Sequence, residues 1–199
     1  MKLKTVDNHS FCPDLLTGGP VLDAGCRGFR FAQYFADRGH QVIAMDPSDH
    51  IDRPTICAGV TFIRAALVGE PADSVTLVKV VDPEAWYIAD EPPVGIMSTG
   101  VKCRTLEEVR DCHKDGQWDI VKLNIEGSEI GVLETWPGPI ARQIVVSFHL
   151  HTGRQTEVDI ERAVKHISQW YVPARHEKDE RYCAGSNYWD SVFVLKELV

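Results

Sequence analysis

Two pairs of residues in the second half of the chain have the type and spacing for proton chemistry. Asn124 and Glu126, in "WDIVKLNIE", stand two apart at the end of an apolar run, so an extended strand turns both side chains to the same side. His149 and His151, in "SFHLHT", repeat that spacing at the end of the next apolar run. A carboxylate, or an imidazole whose pKa lies near about 6.5, is suited at such a place to take a proton from an acceptor hydroxyl. Each has a structural alternative: Glu126 as a cap for the segment that follows, and the histidines as buried packing groups.

A second constellation lies near the start. "VLDAGCRGFRFAQYF", residues 21 to 35, runs from an apolar strand through Gly25 and Gly28 into an amphipathic stretch. In an open α/β sheet the turn after the first strand is where a ligand's backbone contacts are made, and glycine there permits positive φ and close approach. Asp46 closes the next apolar run 23 residues beyond Asp23, the place from which an acid accepts hydrogen bonds from both ribose hydroxyls. The turn reads G-C-R-G-F-R rather than G-x-G-x-x-G, so a pyrophosphate cradle fails on spacing and on its third glycine. Asp23, ahead of the turn, also repels phosphate oxygens and suits a cationic ligand. S-adenosylmethionine, with its ammonium and sulfonium, meets both conditions.

These residues need a scaffold, and the alternation of β-branched apolar runs with helical periods predicts one: a βαβ succession and a mostly parallel sheet. The expected strands are Pro20 to Ala24, "HQVIAMD", "VTFIRAALV" with "SVTLVKV" as its neighbour, "WDIVKLNIE" and "RQIVVSFHL". The expected helices run from Phe29 to Arg38, over "TLEEVRDCH" with a Thr105/Glu108 capping box, from Ser128 to Trp136, and from Glu157 to Trp170. Val158, Ala163, Val164 and Ile167 form the expected inner stripe of the last helix. The C-terminal stretch from Tyr171 holds two strands around a charged loop, an antiparallel pair at one sheet edge. Residues 81–99, with three prolines and with Trp86 and Tyr87 side by side, read as a surface excursion that either covers an acceptor or anchors a long loop.

The chain has 199 residues, 44% of them hydrophobic and 25% charged, which fits one domain over residues 1–199 with a sizeable core. Its net charge of −8 argues against a phosphate backbone as partner, because such binding needs clustered Lys and Arg. No apolar run spans a bilayer and the N-terminal segment lacks the apolar core of a secretion signal, so a cytoplasmic protein without a membrane partner is expected. The six cysteines have no CxxC spacing and read as reduced thiols.

With "VLDAGCRGF", "VIAMDPSD", "FIRAALVGE" and "DIVKLNIEGSEIGVLE" in this order, the chain resembles the FkbM-type S-adenosylmethionine-dependent methyltransferases over Val21 to Thr152. Lys122, Glu126, Gly127 and Glu129 match that family's Lys-x-Asp-x-Glu-Gly-x-Glu pattern, with Asn124 in place of its aspartate. The resemblance implies a Rossmann-like three-layer α/β sandwich whose mostly parallel seven-stranded sheet ends in an antiparallel C-terminal hairpin. It implies S-adenosylmethionine as cofactor and O-methylation of a hydroxyl on a sugar or other small metabolite.

Carried over by residue, Asp23, Gly25, Cys26 and Gly28 would line the methionine part of the cofactor, Asp46 would hold its ribose, and Ala65 would lie near the adenine. Glu126, His149 and Asn124 would serve the acceptor. Phe29 departs from the family, whose related loops carry glycine there, and so narrows the start of the helix. A magnesium ion on Glu126, Asn124, His149 and His151 is the less favoured arrangement, since Asn124 costs that set a charge, and no metal is assigned. The expected partner is a small-molecule acceptor, with a homodimer left open. Two rival readings remain: a binding module without catalysis, and a nicotinamide-dependent oxidoreductase.

Overall fold

The computed structural model describes residues 1–49, 58–79, 86–89, 91, 94, 96–111, 116–150, 155–178 and 188–199. In chain order these form β1 (Lys4–Val6), β2 (His9–Phe11), β3 (Val21–Ala24), α1 (Arg30–Ala36), β4 (Val42–Met45) and β5 (Val60–Ile63). Then come β6 (Ala66–Val68), β7 (Ser74–Lys79), β8 (Tyr87–Ile88), β9 (Met97–Thr105), α2 (Leu106–Asp111), β10 (Trp118–Leu123) and α3 (Glu129–Glu134). The chain continues through β11 (Ala141–His149), α4 (Glu157–Ile167), β12 (Tyr171–Lys178) and β13 (Tyr188–Leu195).

Among the described residues the main sheet has seven strands in the order β12-β13-β11-β10-β3-β4-β5. The five strands from β11 to β5 are parallel to one another, while β13 is antiparallel to both β11 and β12. This is the expected mostly parallel sheet with a reversed C-terminal hairpin. β3 pairs with β4 on one side and with β10 on the other, so the order of strands reverses there, and the carboxyl end of β3 is the place at which an open α/β sheet takes a ligand.

Alternation along the strands divides the core between the two faces. Leu22, Ile43, Val121, Leu123, Ile144 and Val146 face α3 and α4, where Ile130, Leu133, Ile160 and Ala163 meet them. Val21, Val42, Ala44, Ile120 and Val145 face α1, packing with Phe31 and Phe35. Asp23 and Lys122 belong by alternation to the α1 face, and they are buried polar residues in an otherwise apolar layer. No helix among the described residues is long and apolar enough to cross a membrane.

The N-terminal residues complete the α1 face. Asp7 and Asn8 adopt positive φ (48° and 65°) in the tight turn between β1 and β2, and Phe11 packs edge-on against Phe31, Tyr34 and Phe35. Gln143, fully buried on β11, donates to the Cys12 carbonyl at 2.9 Å and accepts from the Cys12 N–H at 2.6 Å. Asp119 accepts from the Thr17 and Gly19 amides at 2.8 and 2.9 Å. The first twenty residues are thereby stitched over one face and the lower edge of the sheet.

Two expectations are corrected. "VTFIRAALV" is two strands rather than one: β5 closes the main sheet at Ile63, and β6 enters a separate four-stranded sheet, order β6-β9-β7-β8, that also takes "SVTLVK" as β7. The reason is pairing, since β7 finds its antiparallel partner in β9 and not in β5. In α4 the inner stripe is Ile160, Ala163 and Ile167 with Val164 partly buried beside it, whereas Val158 is 68% exposed. The phase is set by an N-cap at Thr156, whose capping box with Asp159 starts the helix on Glu157. The Thr105/Glu108 capping box is present, with Glu108 accepting from the Thr105 amide at 2.7 Å and the Glu108 amide donating to Thr105 Oγ1 at 3.3 Å. Part of the 81–99 excursion lies outside the described residues, and β8 and the start of β9 occupy the rest.

Candidate functional site

The glycine turn leaves β3 and is held by the neighbouring strand tip. The Gly25 and Cys26 amides donate to the Met45 carbonyl at 2.8 and 3.3 Å. Gly25 has φ +77°, and a Cβ built there would stand 1.7 Å from the Asn124 carbonyl oxygen, so the tips of β3 and β10 touch at a place no side chain can enter. Gly28 has neither constraint: its φ is not positive, and a Cβ would meet nothing within 4 Å.

Phe29 takes the left-handed conformation usual for glycine, with φ 52°. Its ring does not narrow the turn as expected, because it is buried in the α1 layer, edge-on to Phe62 with centroids 5.5 Å apart.

Asp46 directly follows β4 and accepts from the Ser48 amide at 2.9 Å. Its carboxylate and that of Asp23, after burial itself, raise the pKa of the Cys26 thiol, which brings the glycine turn and Asp46 into one neighbourhood. Ala65 is buried beyond β5, and its amide shares the Ile63 carbonyl with the amide of Asp46. Lys79 of β7 donates to Asp49 at 2.6 Å and lies 4.7 Å from the Trp86 ring centroid, tying the second sheet to the loop that carries Asp46. Trp86 is thus a packing partner of Lys79.

Asp23 has other partners than those its position in the sequence suggests. Its Oδ1 accepts from Lys122 Nζ at 2.8 Å and its Oδ2 from the Ala32 amide of α1 at 3.1 Å, and both charged side chains are almost wholly buried. The negative charge that was to repel phosphate or attract a cation is neutralised inside the protein.

At the same end of the sheet, three ionisable side chains form a chain. His149 Nδ1 is 2.7 Å from Glu129 Oε1, and His149 Nε2 is 3.3 Å from Glu126 Oε1. Glu129, fully buried at the start of α3, also accepts from the Ile125 amide at 2.8 Å and the Gly127 amide at 2.9 Å. The capping duty considered for Glu126 therefore falls to Glu129. Between those two amides Glu126 adopts φ +51°, a left-handed conformation that costs a non-glycine residue about 1–2 kcal/mol. Burial opposes charge on His149, but the Glu129 carboxylate, by charge and hydrogen bond, and Glu126 beyond it, outweigh burial and raise the ring's pKa. When protonated, the ring donates from both nitrogens, one to each carboxylate. His9 of the N-terminal hairpin lies behind, 3.2 Å from Ser147 Oγ, and is held well below the ordinary imidazole pKa by burial, with Lys122 and His149 adding to the effect.

Five ionisable groups thus meet at the carboxyl ends of β3, β10 and β11: Asp23 pairs with Lys122, and His149 bridges Glu129 and Glu126. Glu126 is the most exposed of the five, at 20%. Asn124 Oδ1 and Ser48 Oγ, on either side of the glycine turn, are buried without a hydrogen-bond partner among the described residues. In the sequence Lys122 and Glu129 stand out only through the family pattern, and no motif marks His9. The Asp-Asn turn at residues 7 and 8 was the available signal for the hairpin that carries it. His151, proposed alongside His149, lies outside the described residues. Both ring nitrogens of His149 face carboxylates, and no group of three His, Cys, Asp or Glu among the described residues is arranged to hold a metal ion.

No protein-family profile and no curated protein matches this chain. Among solved structures, a protein from Listeria monocytogenes provisionally assigned as an S-adenosylmethionine-dependent methyltransferase superimposes with a TM-score of 0.53 at 10% identity, covering 93% of this chain and 94% of that one. A 1,6-didemethyltoxoflavin N1-methyltransferase from Burkholderia thailandensis gives 0.46 at 15% identity, over 88% of this chain and 70% of its own. Magnesium protoporphyrin IX methyltransferase from Synechocystis PCC 6803, with bound S-adenosylmethionine, gives 0.46 at 14%, over 88% and 69%. At 10% identity the likeness to the Listeria protein shows the fold alone, a Rossmann-like methyltransferase sheet.

Proposed function

We propose that this chain is an S-adenosylmethionine-dependent methyltransferase acting on a hydroxyl of a sugar or other small metabolite, with Glu126 as the group that receives the acceptor's proton. The observation that carries this reading is the placement of the Glu126 carboxylate, 20% exposed and 3.3 Å from His149 Nε2, at the same end of the sheet as the glycine turn and Asp46. The FkbM-type assignment rests on the resemblance over Val21 to Thr152.

The residues fit the cofactor on two counts. Gly28 is not required by its own backbone or neighbours, so its value lies in letting a ligand approach the main chain. Asn124 Oδ1 and Ser48 Oγ are orphaned polar atoms that a ligand rich in hydrogen-bond donors would satisfy. Gly25, Cys26 and Gly28 would hold the methionine part, Asp46 the ribose, and Ala65 the adenine side.

S-adenosylmethionine, when bound, supplies a methyl group on a sulfonium, open to in-line displacement. The protein's own work is to orient the acceptor, and orientation can contribute roughly 7–11 kcal/mol. Glu126 accepts the hydrogen bond of the acceptor hydroxyl and, as the new C–O bond makes that oxygen acidic, takes its proton. His149 donates to Glu126 Oε1 and holds the carboxylate at that end of the sheet, while Glu129 fixes the ring from behind.

Calorimetric titration with S-adenosylmethionine and with NAD tests the cofactor, and a screen of sugar and polyol acceptors with methyl-labelled cofactor tests the reaction. The expected result is S-adenosylmethionine binding, with labelled product that Glu126→Gln abolishes without loss of cofactor affinity. Binding of NAD alone would refute the reading. Tight cofactor binding with no acceptor labelled would favour the binding-module alternative.

A further inference from the structure

We propose that Lys122 is a buried latch that holds the glycine turn in its ligand-ready shape, and that Asp23 acts on the cofactor through this latch rather than by touching it. The inference rests on the cofactor reading above and adds a positioning residue to it.

Lys122 and Asp23 are direct cross-strand neighbours on β10 and β3, with their side chains on one face. The Lys122 ammonium donates to Asp23 Oδ1 at 2.8 Å and to the Gly25 carbonyl at 2.9 Å. Gly25 is therefore gripped at both ends, its N–H by the Met45 carbonyl of β4 at 2.8 Å and its C=O by Lys122 of β10. Asp23 extends the grip to α1 through the Ala32 amide at 3.1 Å. One ammonium thus sets the peptide plane of the turn against β3, β4, β10 and the first turn of α1.

The pair cannot be loosened by solvent, because the side chains are only 3% and 1% exposed, and removing one partner of such a pair leaves a buried charge uncompensated. Lys122 lies next to the end of β10, which leads directly into the segment that carries Asn124 and Glu126.

The rival view makes Asp23 a direct ligand for the cofactor's ammonium. The two views predict opposite signs. If Asp23 is a ligand, removing Lys122 frees its carboxylate and binding tightens. If Lys122 is a latch, removing it frees the Gly25 carbonyl and binding weakens.

The test is calorimetric titration with S-adenosylhomocysteine of the full chain and of Lys122→Met, Asp23→Asn and the double variant, together with amide hydrogen exchange in the absence of ligand. The expected result is at least tenfold weaker binding for each single variant. The double variant is expected to lose no more than the weaker single one, because both changes remove the same latch. In Lys122→Met the Gly25, Cys26 and Ala32 amides should lose at least tenfold more protection than those of Val145 and Val146 in β11.

Should Lys122→Met not fold, the double variant, which leaves no buried charge unpaired, carries both measurements and should still bind at least tenfold more weakly than the unaltered chain. Binding as tight as or tighter than that of the unaltered chain, losses that multiply in the double variant, or unchanged protection at the three amides would overturn the latch. An unaltered chain that binds no S-adenosylhomocysteine would instead overturn the cofactor reading, and the exchange comparison would then decide the latch by itself.

Discussion

Glu129→Gln exchanges one oxygen for an NH2 group of nearly the same size, at a side chain with no exposed surface. Glu129 Oε1 serves Ile125 N–H and His149 Nδ1, and Oε2 serves Gly127 N–H. The less costly orientation of the new amide puts its nitrogen where Oε2 was, against the Gly127 N–H, leaving that donor unsatisfied at a cost of about 1–3 kcal/mol. The bond to His149 survives but loses its charge, and since charged hydrogen bonds are about twice as strong as neutral ones, a further ~1 kcal/mol goes. The expected loss of stability is about 2–4 kcal/mol, read as a lower urea midpoint at unchanged slope by tryptophan fluorescence. A second signal should accompany it. With Glu129 neutral, burial is no longer outweighed as before, so the pKa of His149 falls from its raised position, as followed by NMR of the imidazole. A loss under about 1 kcal/mol with an unmoved His149 titration would refute the reading of Glu129 as the residue that fixes both the Glu126 turn and the His149 ring.

Four further outcomes are expected. Gly25→Ala, whose Cβ would sit 1.7 Å from a backbone oxygen, should fail to fold or lose more than about 4 kcal/mol, whereas Gly28→Ala should keep its thermal midpoint and weaken only S-adenosylhomocysteine binding. Asp46→Ala should weaken that binding by roughly 1.5–3 kcal/mol in calorimetry, and unchanged affinity in a folded variant would remove its ribose role. Phe29→Gly relieves a left-handed φ of 52° but empties a buried ring site, so denaturant titration should still show a net loss of about 2–4 kcal/mol. The pKa of His9 is depressed in the folded chain, so the unfolded chain binds its proton first and stability falls as pH drops below about 6.5. The raised pKa of His149 works in the opposite sense: its contribution is full below that pH and fades as pH rises through the raised value. His9→Gln should therefore flatten the acid-side loss seen in urea titrations between pH 5 and pH 7.

The strand-turn-helix unit from Val21 to Ala36 was legible because its periodicity changes from continuous apolar to 3.6 across two glycines. β10 was legible as a central strand, and its exceptions, Lys122 and Asn124, pointed to one face. What Lys122 binds was not, since Asp23 lies 99 residues earlier and meets it only because β3 and β10 are neighbours in the sheet. The second sheet escaped notice for the same reason: the Val75 partner is Val101, far along the chain. Val158 was taken for a core residue on helical period alone, and the capping box that starts α4 turned Ile160 inward instead.

Residue type and local spacing by themselves determined the succession of elements, the glycine turn, and the acidic and imidazole side chains at the strand ends. They act through short-range backbone preferences and side-chain alternation, which a sequence carries directly. Tertiary structure alone decided which charges are brought together and how deeply each is buried. Asp23 is held by Lys122, the pKa of His149 is raised between Glu129 and Glu126, and Glu126 keeps the most exposed carboxylate of the group, because Coulomb interaction and desolvation depend on distance in space and on burial, which strand order sets.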